Sequence, residues 1–137
     1  MCATGQRMAQ RSLEDLVIWQ AARDIAAEVY RQTGGQRFEL DPHLRGELRS
    51  AARGAMANIA AGYGADDATG LARGFDRASR AVTNLASLLH LTVDLHLLDR
   101  PKATPLLART IELARLIRGW QRAIRAHEKA RRGARVN

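Results

Sequence analysis

Six cations near the C-terminus follow the spacing of one helix face. They are separated by steps of three and four residues: Arg115, Arg118, Arg122, Arg125, Lys129 and Arg132. At 100° per residue, their mean direction lies about 150° from that of the apolar residues in the same segment. The spacing predicts a cationic stripe about 25 Å long, without a balancing acidic residue, that could run beside a phosphate backbone. A solvated face without a ligand is the alternative.

The stripe lies in the part of the chain that carries its excess positive charge. Residues 100–137 hold 11 Lys and Arg against two glutamates, whereas residues 1–99 hold 11 against 12 acidic residues. This asymmetry favours an anionic partner, with RNA or DNA first and an acidic protein or a membrane surface next. Only 4% of the residues are aromatic, and single-strand binders use aromatic rings to stack bases. We therefore expect contacts with the nucleic-acid backbone and weak sequence specificity.

Two shorter arginine runs repeat the same spacing. They are Arg45, Arg49 and Arg53 in one segment and Arg73, Arg77 and Arg80 in the next. Carboxylates lie close to both runs in the sequence, so we expect ion pairs there, within one subunit or between subunits. We include Arg49 and Arg53 as auxiliary nucleic-acid contacts beside the stripe.

The residues capable of catalysis form no recognisable constellation. The four histidines, His43, His90, His96 and His127, are spread over different segments, and neither HExxH nor Glu-x-x-His occurs. A six-residue step places His90 and His96 about 240° apart on a helix, which is a poor geometry for a shared metal ion. We interpret all four as surface or boundary residues. The sequence predicts no enzyme activity, no metal site and no cofactor.

The chain length and the cysteine count restrict the class of protein. With 137 residues, the chain corresponds to one domain with a single core. Its single cysteine, Cys2, permits no internal disulfide, which is typical of a reducing compartment. No apolar run resembles a signal peptide or a membrane span, so we expect a cytoplasmic protein without a membrane partner.

Four segments show a helical period, and no alternating strand pattern competes with them. Ser12 is the predicted N-cap of the first helix, and Asp41 followed by Pro42 is the predicted start of the second. The third helix is expected from about Asp67 to Leu98. Thr104 is the predicted cap of the fourth, with Pro105 at its first position.

Short connections between helices of this length favour an all-α fold, an antiparallel up-down four-helix bundle. We expect residues 12–130 to form the bundle domain. Residues 1–11 are expected to be a disordered tail, and residues 131–137 a basic disordered tail.

The stretch ANIAAGYGADD, residues 57–67, resembles a glycine-rich phosphate loop only in composition. A phosphate loop precedes a helix N-terminus and carries a lysine, whereas this stretch follows a helix and ends in two aspartates. We interpret it as a tight turn in which Gly62 or Gly64 supplies the left-handed residue that ends the second helix. Asn58 is expected to bond to backbone or to a neighbouring helix, and Tyr63 to cover the corner.

Two segments resemble a known family. LVIWQAARDIAAEVYRQT, residues 16–33, and LRGELRSAARGAMANIAAGYG, residues 44–64, are similar to the four-helix bundle proteins encoded by 23S rRNA intervening sequences. The family pattern contains Leu-x-Val-Trp, Tyr-x-x-Thr and Asn-Ile-Ala-x-Gly-Tyr-Gly. The signature residues matched here are Trp19, Asn58, Gly62, Tyr63 and Gly64.

The resemblance implies a bacterial four-helix bundle that assembles into a homopentamer. A ring of five chains, each with a formal charge of +8, would carry +40, which would attract polyanions. The same superfamily includes the accessory variability protein of diversity-generating retroelements, which implies a reverse transcriptase as an alternative partner. Our leading hypothesis is a non-enzymatic nucleic-acid-binding oligomer that uses the stripe. The alternative is a protein-interaction scaffold, such as an accessory subunit for a reverse transcriptase.

Overall fold

A computed structural model describes residues 12–136, with side chains to residue 134, and over this range the protein is an all-helical four-helix bundle. The helices are α1 (Val17–Gln32), α2 (Pro42–Tyr63), α3 (Ala68–Asp94) and α4 (Arg100–Val136). Leu13–Asp15 and Gln36–Leu40 form short 3-10 helices. The tail predicted over residues 1–11 lies outside the described residues.

The four helices enclose one core in cyclic order. Each helix packs against its neighbour in the chain, and α4 closes the bundle by packing against α1. The most extensive interface joins α2 to α3. Aliphatic side chains with two phenylalanines fill the interior: Ile25, Val29, Phe38, Leu48, Ile59, Phe75, Val82, Leu85, Leu89, Leu106, Leu113 and Ile117.

The start of α1 differs from the prediction that Ser12 caps it. The Ser12 hydroxyl donates to the Asp15 carboxylate at 2.9 Å, and its side chain caps no backbone N–H. Leu16 is extended (φ −77°, ψ 116°) and separates the short 3-10 helix from α1. Leu16 and Ile18 are both buried. The extended residue lets both side chains reach the core, so the helix begins four residues later than predicted, with Leu16 instead of Ser12 at the N-cap position.

The start of α2 matches its prediction. The Asp41 carboxylate accepts a hydrogen bond from the Leu44 N–H at 2.9 Å, and Pro42 occupies the first turn. The start of α3 is similar, because the Asp67 carboxylate accepts from the Gly70 N–H at 2.8 Å. Both caps satisfy backbone donors that have no partner within their helix.

The prediction that Gly62 or Gly64 adopts a left-handed conformation is wrong. Gly64 ends α2 with φ −84° and ψ 0°, and no described glycine has a positive φ. Gly62 is buried where α2 crosses α3. A Cβ on Gly62 would lie 3.1 Å from the Gly74 Cα, and one on Gly74 would lie 2.8 Å from the Asn58 carbonyl oxygen. These two glycines permit close backbone approach rather than a turn.

The end of α3 comes earlier than the predicted Leu98, because the chain turns after Asp94. His96 has φ 59°, and its N–H donates to the Val93 carbonyl, while the Leu97 N–H donates to the Thr92 carbonyl. This is a Schellman motif with histidine at the position that glycine usually takes. Leu97 and Leu98 are buried, because the turn directs their side chains back into the core. The apolar pattern therefore continues beyond the end of the helix.

The predicted start of α4 at Thr104 is also wrong. The helix begins at Arg100, and the Asp99 carbonyl accepts from the N–H groups of Lys102 and Ala103. Thr104 lies within the helix and donates its hydroxyl to the Arg100 carbonyl at 2.8 Å. Pro101 lies in the first turn, the position that suits proline, while Pro105 lies inside the helix and removes one backbone donor.

The far end of α4 extends beyond the predicted domain. The helix continues to Val136, although the sequence places the end of the bundle at residue 130. Residues 131–134 are exposed. None of the helices described between residues 12 and 136 is both long and apolar enough to span a bilayer.

Candidate nucleic-acid interface

The six stripe residues lie on the solvent side of α4. All six are exposed, while Leu113, Ile117 and Ile124 of the same helix are buried in the core. Trp120 is half-buried and stacks on Phe75 of α3, with ring centroids 4.9 Å apart. The helix therefore separates a packing face from a cationic face, as the spacing predicts.

The first stripe residue is balanced by a carboxylate. The Arg115 guanidinium pairs with Glu112 at 2.9 Å, one turn earlier on α4. The expectation that no acidic residue balances the stripe is therefore wrong at this end. Within residues 12–134, no hydrogen bond or ion pair engages the other five: Arg118, Arg122, Arg125, Lys129 and Arg132.

Arg49 and Arg53, the two auxiliary contacts, are engaged within the bundle. The Arg49 guanidinium lies 4.5 Å from the Tyr30 ring centroid and donates to the Thr33 hydroxyl at 2.9 Å. Arg53 donates to the Tyr30 hydroxyl, and Thr33 donates to the Val29 carbonyl at 2.7 Å. These contacts join α2 to the end of α1. Tyr30 and Thr33, which match the Tyr-x-x-Thr motif, are thus both bound by Arg49.

The α3 arginines face a groove shared with α4. Arg73, Arg77 and Arg80 are exposed and line one open groove together with Arg132 of the stripe. The expectation of ion pairs for the two shorter arginine runs finds no support inside the subunit, because none of the six arginines pairs with a carboxylate among the described residues.

Two carboxylates also line this groove. Asp76 lies between the α3 arginines in sequence, and its Oδ1 accepts a hydrogen bond from the Gln121 side chain at 2.8 Å. Glu128 of α4 is half-buried in the same groove. Gln121 therefore joins α4 to α3 through Asp76, a carboxylate that was expected to pair with the arginines near it in sequence.

The signature residues of the family pattern have structural contacts. Trp19 is half-buried, with the Arg23 guanidinium 5.6 Å from its ring centroid. Asn58 donates its side-chain amide to the Gly54 carbonyl at 2.8 Å, a backbone bond as expected. Tyr63 is half-buried against the core at the α2–α3 corner, and Gly62 and Gly64 have the roles described above.

Two carboxyl groups have shifted pKa values, and both lie at the end of the bundle where α1 meets α4. Hydrogen bonds from Gln32 and then from Arg31 hold the pKa of Glu28 below its ordinary value. A hydrogen bond from Arg37 lowers the pKa of the exposed Asp99. Each shift follows from stabilisation of the charged form by donors. The donors to Glu28 lie within α1, whereas Arg37 joins the loop after α1 to Asp99 before α4.

The arrangement offers a surface for anions. Within the part of the chain that the structure describes, no three His, Cys, Asp or Glu side chains converge on a possible cation position. All four histidines are exposed, as predicted from the sequence. The cationic face of α4 and the adjoining groove are the two candidate binding features.

In a comparison with protein families, the chain matches the model of the 23S rRNA-intervening sequence protein over residues 14–119. The chain belongs to this family. The match covers α1 to α3 and the first half of α4, so it agrees with the resemblance found in the first two helices. Searches of curated proteins and of solved structures gave no match.

The family match ends inside α4. Arg115 and Arg118 fall within the matched residues, whereas Arg122, Arg125, Lys129 and Arg132 follow its last residue, 119. Family membership therefore accounts for the bundle and its signature contacts. Most of the cationic stripe lies in the part of α4 beyond that match, so the family match says nothing about the role of these residues.

The sequence did not predict that the α3 arginines line a groove together with a stripe residue. Arg73, Arg77 and Arg80 follow steps of four and three residues, the same spacing as the stripe, and this was the available signal. The carboxylate at Asp76 obscured it, because proximity in sequence suggested an ion pair. Asp76 lies three residues after Arg73 and four before Arg80, so it shares their face of α3, but its carboxylate is bound by Gln121 of α4.

Proposed function

We propose that this protein binds RNA through the phosphate backbone, using the exposed cations of α4, without enzymatic activity. One observation carries the proposal. Five of the six stripe residues have exposed side chains that are unpaired within the described chain, and they extend over about 20 Å of helix. They are Arg118, Arg122, Arg125, Lys129 and Arg132. Arginines that serve the bundle itself, such as Arg37 and Arg49, hold partners.

The chemistry of the stripe suits phosphate. Arginine presents planar donors that match phosphate oxygens, and its charge persists at every physiological pH. Regular spacing along one helix supports contacts with successive phosphates, which position a nucleic acid without reading its sequence. The family name links these chains to 23S rRNA, so RNA is the first nucleic acid to test.

We further propose that the binding species is a homopentamer in the cytoplasm. The similarity to the bundle superfamily supports five copies, and the formal charge of +8 on each would concentrate +40 in one assembly. A field of that strength would accelerate encounter with a polyanion and would weaken as salt screens it.

The proposed function predicts steep salt dependence of RNA binding. A labelled RNA hairpin should bind at ~50 mM salt, and log Kd should rise linearly with log salt. The variant R118Q/R122Q/R125Q should reduce that slope by about 3, roughly one for each phosphate that the variant no longer neutralises. Fluorescence anisotropy over a salt series measures both quantities.

A matched control separates position from net charge. R45Q/R100Q/R109Q removes the same three charges. In the described chain the side chains of these arginines have no hydrogen bond or ion pair, and they lie outside the stripe. Its slope should change by less than about 1. Wild-type protein that fails to bind the hairpin at ~50 mM salt, or binds it without salt dependence, would overturn the proposal.

A further inference from the structure

We propose that the groove between α3 and α4 binds a nucleic-acid duplex, with Arg73, Arg77 and Arg80 holding one backbone and the stripe holding the other. The inference rests on the proposed function, since the stripe supplies the second row of cations. It adds a binding site on α3 and commits to a double-stranded ligand.

The groove has cations on both walls and small residues between them. Its α3 side carries Arg73, Arg77 and Arg80, and its α4 side carries Arg132. Thr69 and Ala72 also line it, so no bulky side chain is present there to keep a ligand out. A second depression, which shares Ala72, Asp76 and Glu128 with the first, extends it along α4 to Arg125.

The cations of this groove are available. Among residues 12–134, none of Arg73, Arg77 and Arg80 takes part in a hydrogen bond or ion pair. The nearest carboxylate in sequence, Asp76, is held by Gln121 at 2.8 Å. Four arginines face two carboxylates in the groove, so among the described residues it keeps a net positive charge that would attract an anion.

Two parallel rows suit two backbones. Neighbouring helix axes lie about 8–10 Å apart, and the arginines on each helix extend outward from them. The α3 row spans about 10 Å and the stripe from Arg118 to Arg132 about 20 Å, at 1.5 Å per residue. A duplex presents two lines of phosphate to such a surface, whereas a single strand presents one.

The aromatic residues disfavour a single strand. Proteins that bind single strands without sequence preference stack bases on exposed rings. The sole aromatic residue of α3 is Phe75 and that of α4 is Trp120, and the two stack on each other with their planes 6° apart. Because Phe75 is fully buried and covers one face of Trp120, the helices that form the groove keep their rings in the protein.

The decisive experiment compares two triple variants on two RNA probes. Wild type, R73Q/R77Q/R80Q and R118Q/R122Q/R125Q are titrated against a 20-base-pair RNA duplex and against one of its strands, chosen to lack internal pairing. R45Q/R100Q/R109Q is the control of equal charge. The substituted positions are exposed or half-buried and glutamine has a helix propensity close to that of arginine, so circular dichroism should show unchanged helicity.

We expect wild type to bind the duplex at least about 10-fold more tightly than the strand at ~100 mM salt. R73Q/R77Q/R80Q should weaken duplex binding about 10-fold or more and lower its salt slope by about 3. The same variant should weaken binding of the strand by only about twofold, since one backbone can still follow the stripe.

The outcomes separate this inference from the proposed function. If R73Q/R77Q/R80Q binds the duplex as tightly as the control does, the α3 site is wrong, and weaker binding by R118Q/R122Q/R125Q would still support the stripe. If wild type binds the strand as tightly as the duplex, the double-stranded ligand is wrong. If wild type binds neither probe, the proposed function fails and this inference fails with it.

Discussion

Single residues in this bundle have roles that their residue type alone does not reveal. Gly62 and Gly74 look like turn or helix-breaking residues, yet both are buried at the α2–α3 crossing. A Cβ at Gly74 would lie 2.5 Å from the Gly62 nitrogen, closer than atoms can pack. Tyr30 and Arg49 are a second example, because nothing in their residue types shows that they contact each other. In the structure, the Arg49 guanidinium lies over the Tyr30 ring and joins α2 to α1.

The glycine crossing makes a prediction at this scale. Gly74→Ala should destabilise the protein by about 2 kcal/mol, because forcing a methyl group against packed backbone costs more than the gain of up to ~1 kcal/mol in helix propensity. Urea unfolding at fixed protein concentration measures the difference.

Gly46→Ala is the matched control for that substitution. Gly46 also lies inside a helix, but nothing would lie within 4 Å of its Cβ. It should therefore stabilise the protein by about 0.5–1 kcal/mol. Equal and stabilising effects of the two substitutions would show that α2 and α3 do not approach each other as described.

For the helices, apolar periodicity shows that a helix is present, but capping residues and turns decide where it begins and ends. α2 and α3 begin at capping aspartates that the sequence identifies. α3 ends at a Schellman motif around His96, which the sequence does not reveal because the usual glycine is absent. The apolar residues of the following turn then extend the apparent period beyond the helix.

The Schellman motif predicts a stabilising substitution. A left-handed conformation costs a non-glycine residue roughly 1–2 kcal/mol, and glycine loses about 0.5–1 kcal/mol through its greater freedom when unfolded. His96→Gly should therefore raise the free energy of unfolding by about 0.5–1 kcal/mol. His96 is exposed, so its removal costs little packing.

His90→Gly is the comparison, since His90 is exposed within regular α3. It should lower stability by about 0.3–0.5 kcal/mol, the difference between the helix propensities of histidine and glycine. Thermal unfolding of both variants under the same conditions should give shifts of opposite sign, and a loss of stability in His96→Gly would contradict the left-handed conformation.

For the whole molecule, the most consequential feature is the uneven placement of charge. Most of the partnered arginines lie on α1, α2 and the loop between them, whereas most of the unpartnered ones lie on α3 and α4. The same bundle thus has one side held by internal contacts and another with a strong positive field. An assembly of several copies would multiply that field.

The proposed pentamer predicts a defined mass in solution. One chain has a mass of 15.1 kDa, so light scattering coupled to size-exclusion chromatography should give about five times that value, or ~75 kDa. The measurement belongs at ~0.5 M salt after nuclease treatment, because bound RNA would add mass and high salt releases it. A mass near that of one chain would exclude the pentamer.

The amino-acid sequence alone determined the four helices, their order and the cationic face of α4. These depend on local period, on caps such as Asp41 and Asp67, and on residues three or four apart, all of which operate within one or two turns. It also carried the family resemblance, because the motifs around Trp19 and Gly62 are contiguous.

Only the tertiary structure decided how distant segments meet. The contact of Gly62 with Gly74, the binding of Tyr30 by Arg49 and the groove shared by Arg77 and Arg132 join residues from different helices. Their pairing depends on which helix faces pack against each other, and no local pattern specifies that. The physical reason is that packing selects partners by shape over the whole core, whereas periodicity selects only the face that each helix buries.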